Sequence, residues 1–213
     1  MTKFGVLGSG EVGQALASGL RDIGHEVRIG SRDPRKLAAY SAETKISNGT
    51  FAEVAAWGEA LVLSVRGSAA EDVVRQVGVD HFAGKLIIDT TNPTTDAPPR
   101  DGVLGSFTGP NESLMERLQK AAPRARFVKA FNSVGADLMV KPRFEGGKPT
   151  MFYCGNDPAA RAEVAKILEQ FGWEGADMGT AVAARAIEPL AVLWCIPGFR
   201  EDRWTHAFKL LTR

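Results

Sequence analysis

The sequence predicts an α/β fold, a doubly wound parallel sheet with a small C-terminal α/β extension. Three observations indicate this fold: short apolar runs alternate with helix-like segments, a glycine-rich turn joins the first apolar run to the first helix, and no internal repeat breaks the order. With 213 residues the chain has room for one domain and an appendage. We predict a main domain over residues 1–135 and an extension over residues 136–213 that closes a cleft against it.

The strand candidates are apolar runs at regular intervals along the chain. They occupy residues 4–7, 26–29, 61–65, 86–89, 127–131 and 151–154. Apolar residues at helical spacing occupy residues 12–23, 51–57, 69–77, 158–171, 181–194 and 204–211. Because strand–helix–strand connections are right-handed, this alternation gives a parallel sheet with helices on both faces.

A glycine motif, Gly8-Ser9-Gly10-Glu11-Val12-Gly13, follows the first strand candidate. Strand, glycine turn and helix in this order are the fingerprint of Rossmann domains that bind dinucleotides. Gly8 permits the tight turn, Gly10 lets the backbone approach a pyrophosphate, and Gly13 lets the helix pack closely on the strand. The helix N-terminus offers N–H groups and its positive dipole end to the phosphates. We predict cofactor contacts for all six residues; the alternative is a purely structural turn.

The end of the second strand candidate indicates which dinucleotide binds. NAD enzymes carry Asp or Glu about 20 residues past the glycines to hold the ribose 2′-hydroxyl. This chain has Ser31 and Arg32 there, with Lys36 close by. A hydroxyl and a guanidinium suit a 2′-phosphate, and Arg32 is also free to stack on adenine. Asp33 keeps NAD as an alternative, but Asp33-Pro34 is a typical helix start whose carboxylate turns to its own helix. We therefore predict NADP.

Three later strand ends carry segments suited to the other half of the cofactor. They are Ser64-Val65-Arg66-Gly67, Thr90-Thr91-Asn92-Pro93 and residues 130–136. Ligands of such sheets bind outside the carboxyl ends of the strands. Asn92 and Asn132 are candidates to bond ribose hydroxyls or the carboxamide; the alternative is that each is a turn residue bonded to its own backbone. The loop-like stretch 90–113 is predicted to be a lid, with a plain linker as the alternative.

The composition argues against several classes of function. A count of 26 Lys and Arg against 25 Asp and Glu gives a net charge of +1, so no strong field attracts nucleic acid or a membrane surface. No apolar run approaches the ~20 residues that span a bilayer, and the N-terminus has no signal-peptide pattern, which favours the cytoplasm. The three histidines show no metal-ligand spacing. The apolar stretch from Leu190 to Phe199 suits either a homodimer interface or a cap on the monomer's own core.

The chain resembles the NADPH:deazaflavin (coenzyme F420-dependent NADP) oxidoreductase family over nearly its full length. It also resembles the cytosolic NADPH-binding domains of the six-transmembrane metalloreductases. The resemblance is carried by the glycine motif and by Gly30-Ser31-Arg32, Lys129-Ala130-Phe131-Asn132, Cys154-Gly155-Asn156-Asp157, Asp177-Met178-Gly179 and Arg185-Ala186-Ile187-Glu188-Pro189-Leu190.

The resemblance implies positions for the parts of the cofactor. It places the pyrophosphate at Ser9, Gly10, Glu11 and Val12. It places the 2′-phosphate at Ser31, Arg32 and Lys36. It places the nicotinamide side at Val65, Gly67, Asn92 and Ala136. Deazaflavin reductases often have a proline where this chain has Arg66 and a histidine where it has Asn132. Asn132 is instead similar to the metalloreductase domains, whose electron acceptor is a flavin.

Together these expectations describe an NADP(H)-dependent oxidoreductase that transfers a hydride between NADPH and a small-molecule acceptor. The resemblance implies a deazaflavin (coenzyme F420) as the acceptor, or a flavin (FMN or FAD). We predict no catalytic side chain; Glu11 and Glu188 are the nearest charged candidates, and a structural role is expected for both. The alternatives are an imine or 3-hydroxyacid-type NADPH reductase and a non-catalytic NADPH-binding sensor.

Overall fold

The computed structural model describes residues 1–212, so Arg213, the last residue of the predicted extension, lies outside the described residues. The strands are β1 Lys3–Leu7, β2 Glu26–Gly30, β3 Ser47–Gly49, β4 Ala60–Leu63, β5 Leu86–Asp89, β6 Arg126–Lys129, β7 Thr150–Gly155 and β8 Glu174–Asp177. The α-helices are α1 Glu11–Asp22, α2 Ala38–Thr44, α3 Phe51–Trp57, α4 Gly67–Val77, α5 Leu114–Ala121, α6 Pro158–Gln170 and α7 Ala184–Glu201.

The strands form one sheet in the order β3-β2-β1-β4-β5-β6-β7-β8. Strands β1 to β6 pair in parallel, while β7 runs antiparallel to β6 and β8 runs parallel to β7. The order reverses between β1 and β4, which creates the crevice where ligands of such sheets bind. The prediction of a doubly wound parallel sheet is confirmed. The strands after residue 135 extend this sheet, and the division into two units at residues 135 and 136 stays a prediction.

The sheet is covered on both faces, as its parallel strands require. One core cluster packs α1 and α6 on one face, and the other packs α3, α4, α5 and the start of α7 on the opposite face. Capping residues fix where several helices begin. Thr50 and Ser113 form capping boxes with Glu53 and Glu116. Asp157 caps α6, whose first residue is proline.

The sequence reasoning missed the two edge strands and misassigned the C-terminal segment. Strands β3 and β8 are short and polar, so they lack the alternation that marks a strand. The helix expected over residues 204–211 is wrong, because this segment is not helical and lies beside β7. There the Thr150 N–H donates to the Phe208 carbonyl at 2.8 Å, and the Leu210 N–H donates to Thr150 Oγ1 at 3.0 Å. Tertiary hydrogen bonds therefore override the local helical spacing.

Helix α7 has the length and apolar character of a membrane span. The segment Ala181–Glu201 has a mean hydropathy of 1.4 over its most apolar 18 residues. A search for uninterrupted apolar runs missed it because Arg185 and Glu188 interrupt the segment. Its Ala184, Ile187 and Ala191 side chains are buried against the domain, and a third of the apolar window is buried.

Candidate functional site

The three motif glycines have different roles in the turn between β1 and α1. Gly8 has a φ of +148°, and a Cβ there would lie 2.3 Å from the Ser64 carbonyl oxygen. A Cβ on Gly13 would lie 2.1 Å from the Gly8 carbonyl oxygen. A Cβ on Gly10 would meet no heavy atom within 4 Å, so this residue faces open space. Gly8 and Gly13 thus permit close packing, whereas Gly10 leaves room for a ligand.

Gly10 faces a cleft of about 460 Å³, which we call the glycine-loop cleft. It is lined by Gly8, Ser9, Gly10, Ser31, Arg32, Asp33, Lys36, Phe51, Ser64, Val65, Arg66, Ala69, Asp72, Val73 and Gln76. The structure therefore brings together most of the predicted residues from the glycine turn, from the end of β2 and from the segment after β4. Glu11, Val12 and Gly13 form the first turn of α1 beside the cleft. Sequence reasoning missed Phe51 and Gln76, because helix residues carried no signal of facing this space.

The charged residues at the end of β2 are in different states of pairing. Within residues 1–212, the side chains of Arg32 and Lys36 make no hydrogen bond or ion pair, although both line the cleft. Asp33 Oδ1 instead accepts from the Arg35 backbone N–H at 3.2 Å and from Arg35 Nε at 2.8 Å. The hydrogen bond from the Arg35 guanidinium lowers the pKa of Asp33. The carboxylate of Asp33 is therefore engaged as a helix cap, as expected, and two cations remain available.

Asn92 and Asn132 bind each other rather than their own turns. The Asn92 amide donates to the Asn132 carbonyl at 2.8 Å. The Asn132 amide donates to Asn92 Oδ1 and to the Ile187 carbonyl, both at 3.0 Å. Asn132 Oδ1 is buried and has no hydrogen-bond partner within residues 1–212. Phe131, just before it, has a φ of +60°, a strained conformation for a buried bulky residue.

The remaining predicted residues lie around this asparagine pair, outside the glycine-loop cleft. A Cβ on Gly67 would lie 1.7 Å from the carbonyl oxygen of Asn92, so α4 begins against the segment that follows β5. Ala136 begins a short 3-10 helix, and the preceding Gly135 packs against the Trp194 ring. Of the predicted nicotinamide-side residues, Val65 therefore lines the glycine-loop cleft, while Gly67 packs against Asn92 beside it.

A smaller cavity of about 160 Å³ lies between residues 93–112 and α7, and we call it the loop–helix cavity. It is lined by Pro93, Thr94, Ser106, Thr108, Gly109, Pro110, Glu112, Arg185, Glu188, Pro189 and Val192. The segment on its outer side is a hairpin-like loop with isolated bridges between Thr94 and Ser106 and between Arg100 and Val103. Asp101 and Gly102 at its tip both have positive φ, as a type I′ turn requires.

Three charged side chains form a buried ion cluster between the sheet and α7: Asp89, Lys129 and Glu188. Lys129 Nζ lies 2.7 Å from Asp89 Oδ2 and 3.0 Å from Glu188 Oε1, and it donates to the Thr91 carbonyl at 2.5 Å. Burial alone would lower the pKa of Lys129, but the two carboxylates outweigh it and the pKa is raised. Sequence reasoning missed the cluster, although Asp89 and Lys129 are opposite charges at paired ends of neighbouring strands.

A second ion pair joins α5 to α7 beside the loop–helix cavity. Arg185 donates to Glu116 through Nε at 2.9 Å and through its terminal nitrogen at 2.7 Å. Glu116 Oε2 also accepts from the Ser113 backbone N–H and hydroxyl, both at 2.9 Å. These bonds occupy both carboxylate oxygens, so Arg185 is tied to Glu116 although it lines the cavity.

Comparison with known proteins identifies the family. A family model described as "NADP oxidoreductase coenzyme F420-dependent" matches residues 3–93. A crystal structure from Arthrobacter sp. FB24, named as a candidate F420-dependent NADP reductase, is 34% identical, covers 100% of both chains and superposes with a TM-score of 0.92. This chain belongs to the F420-dependent NADP oxidoreductase family. The expected resemblance to that family is confirmed.

Two further proteins that are similar to this chain carry other names. Metalloreductase STEAP3 of Rattus norvegicus is 30% identical over 201 residues, 92% of this chain. The chain spans only 38% of the length of that relative. A reductive aminase from Aspergillus terreus, in a complex with NADPH4, cyclohexanone and allyl amine, is 21% identical with a TM-score of 0.64 over 93% of this chain and 61% of the aminase. At that identity the similarity shows the shared fold alone.

The ion pair between Glu116 and Arg185 predicts a loss of stability in acid. The Arg185 hydrogen bonds, with those from Ser113, lower the pKa of Glu116 from 4.5 to about 2. Since the folded pKa lies below the unfolded one, the stabilisation is complete above pH 4.5 and is lost as the pH falls toward 2. Denaturant titrations should show this decline in the oxidoreductase and in Glu163→Gln, an exposed control on α6. Glu116→Gln should show a shallower decline, because other carboxyl groups with lowered pKa values, such as Asp33, remain. An unchanged decline in that variant would contradict the assignment.

Proposed function

We propose that this oxidoreductase binds NADPH in the glycine-loop cleft and passes a hydride from it to a flavin or deazaflavin acceptor in the loop–helix cavity. The proposal that NADPH binds in this cleft rests on which charged residues at the end of β2 are ion-paired and which are not. Arg32 and Lys36 line the cleft without a partner within residues 1–212, while Asp33 is held by Arg35. A phosphate on the ribose 2′-oxygen satisfies both cations, whereas a bare hydroxyl satisfies neither.

The glycine turn fits the pyrophosphate of the same cofactor. Gly10 precedes α1, a helix of 12 residues whose first N–H groups and positive dipole end are available to phosphate oxygens. The open space at the Gly10 Cβ position is the room that such a group needs. The Gln14 side chain donates to the Ser9 carbonyl at 2.9 Å and so holds the turn in place. Ser9, Gly10, Glu11 and Val12 are therefore the proposed pyrophosphate contacts.

The nicotinamide end of the cofactor is proposed to lie beside the asparagine pair. Bound there, the cofactor supplies a hydride from C4 of its ring. Asn132 Oδ1 is a buried acceptor without a partner in residues 1–212, which suits the N–H groups of a carboxamide. Val65, Arg66, Gly67, Asn92 and Ala136 complete this proposed site. The role of these residues is to hold the two rings at reacting distance, which supplies most of the acceleration in such transfers.

The acceptor is proposed from the chemistry of the loop–helix cavity. Its proline and valine walls suit a flat ring system, and hydroxyls of Thr94, Ser106 and Thr108 line its loop side. Its three titratable residues are all paired: Glu112 with Arg117, Arg185 with Glu116, and Glu188 with Lys129. None of these three ionisable side chains is therefore free to act as a proton donor to the acceptor. A deazaflavin takes up hydride at carbon without a protein acid, whereas an imine or ketone needs one.

A panel of acceptors tests this proposal. The chain is mixed with NADPH and, in turn, with coenzyme F420, FMN, FAD and a cyclic imine, and absorbance at the NADPH band is followed. We expect oxidation with the deazaflavin or flavins and none with the imine, because the ionisable side chains that line the cavity are all held in ion pairs. Turnover of the imine would favour the imine reductase alternative. Tight NADPH binding without turnover of any acceptor would favour the sensor alternative.

The homodimer and the cytoplasmic location stay predictions. In the stretch from Leu190 to Phe199, some side chains are buried in the core and others are exposed. Trp194 is buried and stacks on His206 with ring centroids 5.0 Å apart, so it caps the chain's own core. Leu193 and Phe199 are 54% and 45% exposed and are the side chains left for a second copy. Comparing the sedimentation of Leu193→Asp with that of the unaltered chain shows whether this stretch forms a homodimer interface or only covers the monomer's own core.

A further inference from the structure

We propose that the buried ion cluster is a net anion that makes this site bind oxidised NADP⁺ more tightly, relative to NADPH, than it otherwise would. The inference rests on the proposed function, since it assumes that the nicotinamide ring lies beside the asparagine pair. It assigns to Asp89, Lys129 and Glu188 an electrostatic role in addition to their part in packing.

The hydrogen bonds of the cluster fix its charge. Asp89 Oδ1 accepts from the backbone N–H and hydroxyl of Thr91 at 2.9 and 2.7 Å. Asp89 Oδ2 faces only Lys129, at an ion-pair distance of 2.7 Å but without hydrogen-bond geometry. Glu188 accepts from two backbone N–H groups at the start of α5, each at 2.9 Å, and its Oε1 lies at an ion-pair distance of 3.0 Å from Lys129 Nζ. Apart from the Thr91 hydroxyl, every polar neighbour of the two carboxyl groups is a hydrogen-bond donor or the ammonium of Lys129. Two carboxylates thus face one ammonium, and the cluster carries one excess negative charge.

Two positive groups lie near the cluster, but neither cancels its negative charge. The N-terminus of α5 contributes about half a positive charge where it meets Glu188. Arg185 is held by Glu116 and makes no ion pair with the cluster within residues 1–212. The side chains of Asp89, Lys129 and Glu188 are 0%, 0% and 1% exposed. Water and salt therefore screen this charge much less than they screen a charge at the surface.

The cluster adjoins the asparagine pair, beside which the nicotinamide ring is proposed to lie. Asp89 and Lys129 are the paired last residues of β5 and β6, and Asn92 and Asn132 each follow three residues later. Glu188 also lines the loop–helix cavity. Loss of a hydride from C4, with both electrons passing to the flavin or deazaflavin ring, would leave the nicotinamide of a bound cofactor with a positive charge. An anion beside the site stabilises that charged form and does little to the neutral reduced form.

Calorimetric titration of the full chain with NADP⁺ and with NADPH tests the inference without any acceptor. In Glu188→Gln and in Asp89→Asn, we expect the ratio of the NADP⁺ to the NADPH dissociation constant to rise on the order of tenfold. The rise should persist at high salt, because the charge is buried. Glu163→Gln makes the same chemical change at an exposed position on α6, and its ratio should equal that of the unaltered chain.

The outcomes of this titration distinguish an electrostatic role of the cluster from a purely structural role, and both from a failure of the proposed function. A purely structural cluster would weaken both nucleotides together or lower the melting temperature, and an unchanged ratio in a folded variant would overturn the inference. Circular dichroism shows whether each variant is folded, and either of the two variants suffices alone. If the unaltered chain bound neither nucleotide, the proposed function itself would be overturned and the inference with it.

Discussion

Replacing Gly10 by valine is expected to abolish binding of NADPH and of NADH while the chain stays folded. The backbone at Gly10 has φ −79° and ψ 178°, an extended conformation that valine adopts without strain. Its Cβ would meet no protein atom within 4 Å, so the side chain points into the glycine-loop cleft. It would then occupy the space proposed for the pyrophosphate. Calorimetry measures the loss of binding, and circular dichroism and the melting temperature measure the fold.

Two other glycines provide controls for this substitution. Gly146→Val is also made where a Cβ meets nothing within 4 Å, but away from the cleft, so binding should be unchanged. Gly13→Val should instead destabilise the fold, because its Cβ would lie 2.1 Å from the Gly8 carbonyl oxygen. Normal nucleotide affinity in Gly10→Val would show that the pyrophosphate does not lie at this turn.

Replacing Arg32 by alanine is expected to weaken NADPH strongly and NADH little. A charge-assisted hydrogen bond contributes about 1.5–3 kcal/mol, which corresponds to a loss on the order of ten- to a hundredfold in NADPH affinity. NADH has no 2′-phosphate, so it loses only the stacking of the guanidinium on adenine. The measurement is the ratio of the two dissociation constants, taken from titrations under matched conditions.

A second arginine on the same strand serves as the control. Arg28 lies in β2 with its guanidinium 4.5 Å from the centre of the Trp57 ring, outside the glycine-loop cleft. Arg28→Ala makes the same change of charge and should leave the NADPH-to-NADH ratio as it is. Equal losses of NADPH and NADH in Arg32→Ala would refute the assignment of the 2′-phosphate to this residue.

The sequence was sufficient for those parts of the molecule whose signals are local. The glycine turn, the Asp33 cap and the buried parallel strands each depend on neighbouring residues, and the structure has them where they were predicted. The C-terminal segment was misassigned for the opposite reason. Residues 204–211 have helical spacing, but Thr150, more than 50 positions earlier, holds them in an extended path.

In the candidate site, too, the residues with a local signal were predicted and the contacts between distant residues were not. Arg32 follows a strand end and was predicted from its position, and the family resemblance added Lys36. The structure adds that the carboxylate of Asp33 is held by Arg35. The buried ion cluster joins β5, β6 and α7, so its three residues are distant in the sequence. Nothing in the sequence around each residue indicates that their side chains meet. Glu188 was expected to be structural, and it does hold the start of α5. Only the three-dimensional contacts show that it also faces the loop–helix cavity.

The most direct test of the central claim is a calorimetric titration of the unaltered chain with NADPH and, in parallel, with NADH. If Arg32 and its neighbours hold the 2′-phosphate through two charge-assisted bonds, NADPH should bind about a hundredfold more tightly or better. Equal affinities for the two nucleotides, or no binding of either, would contradict the account.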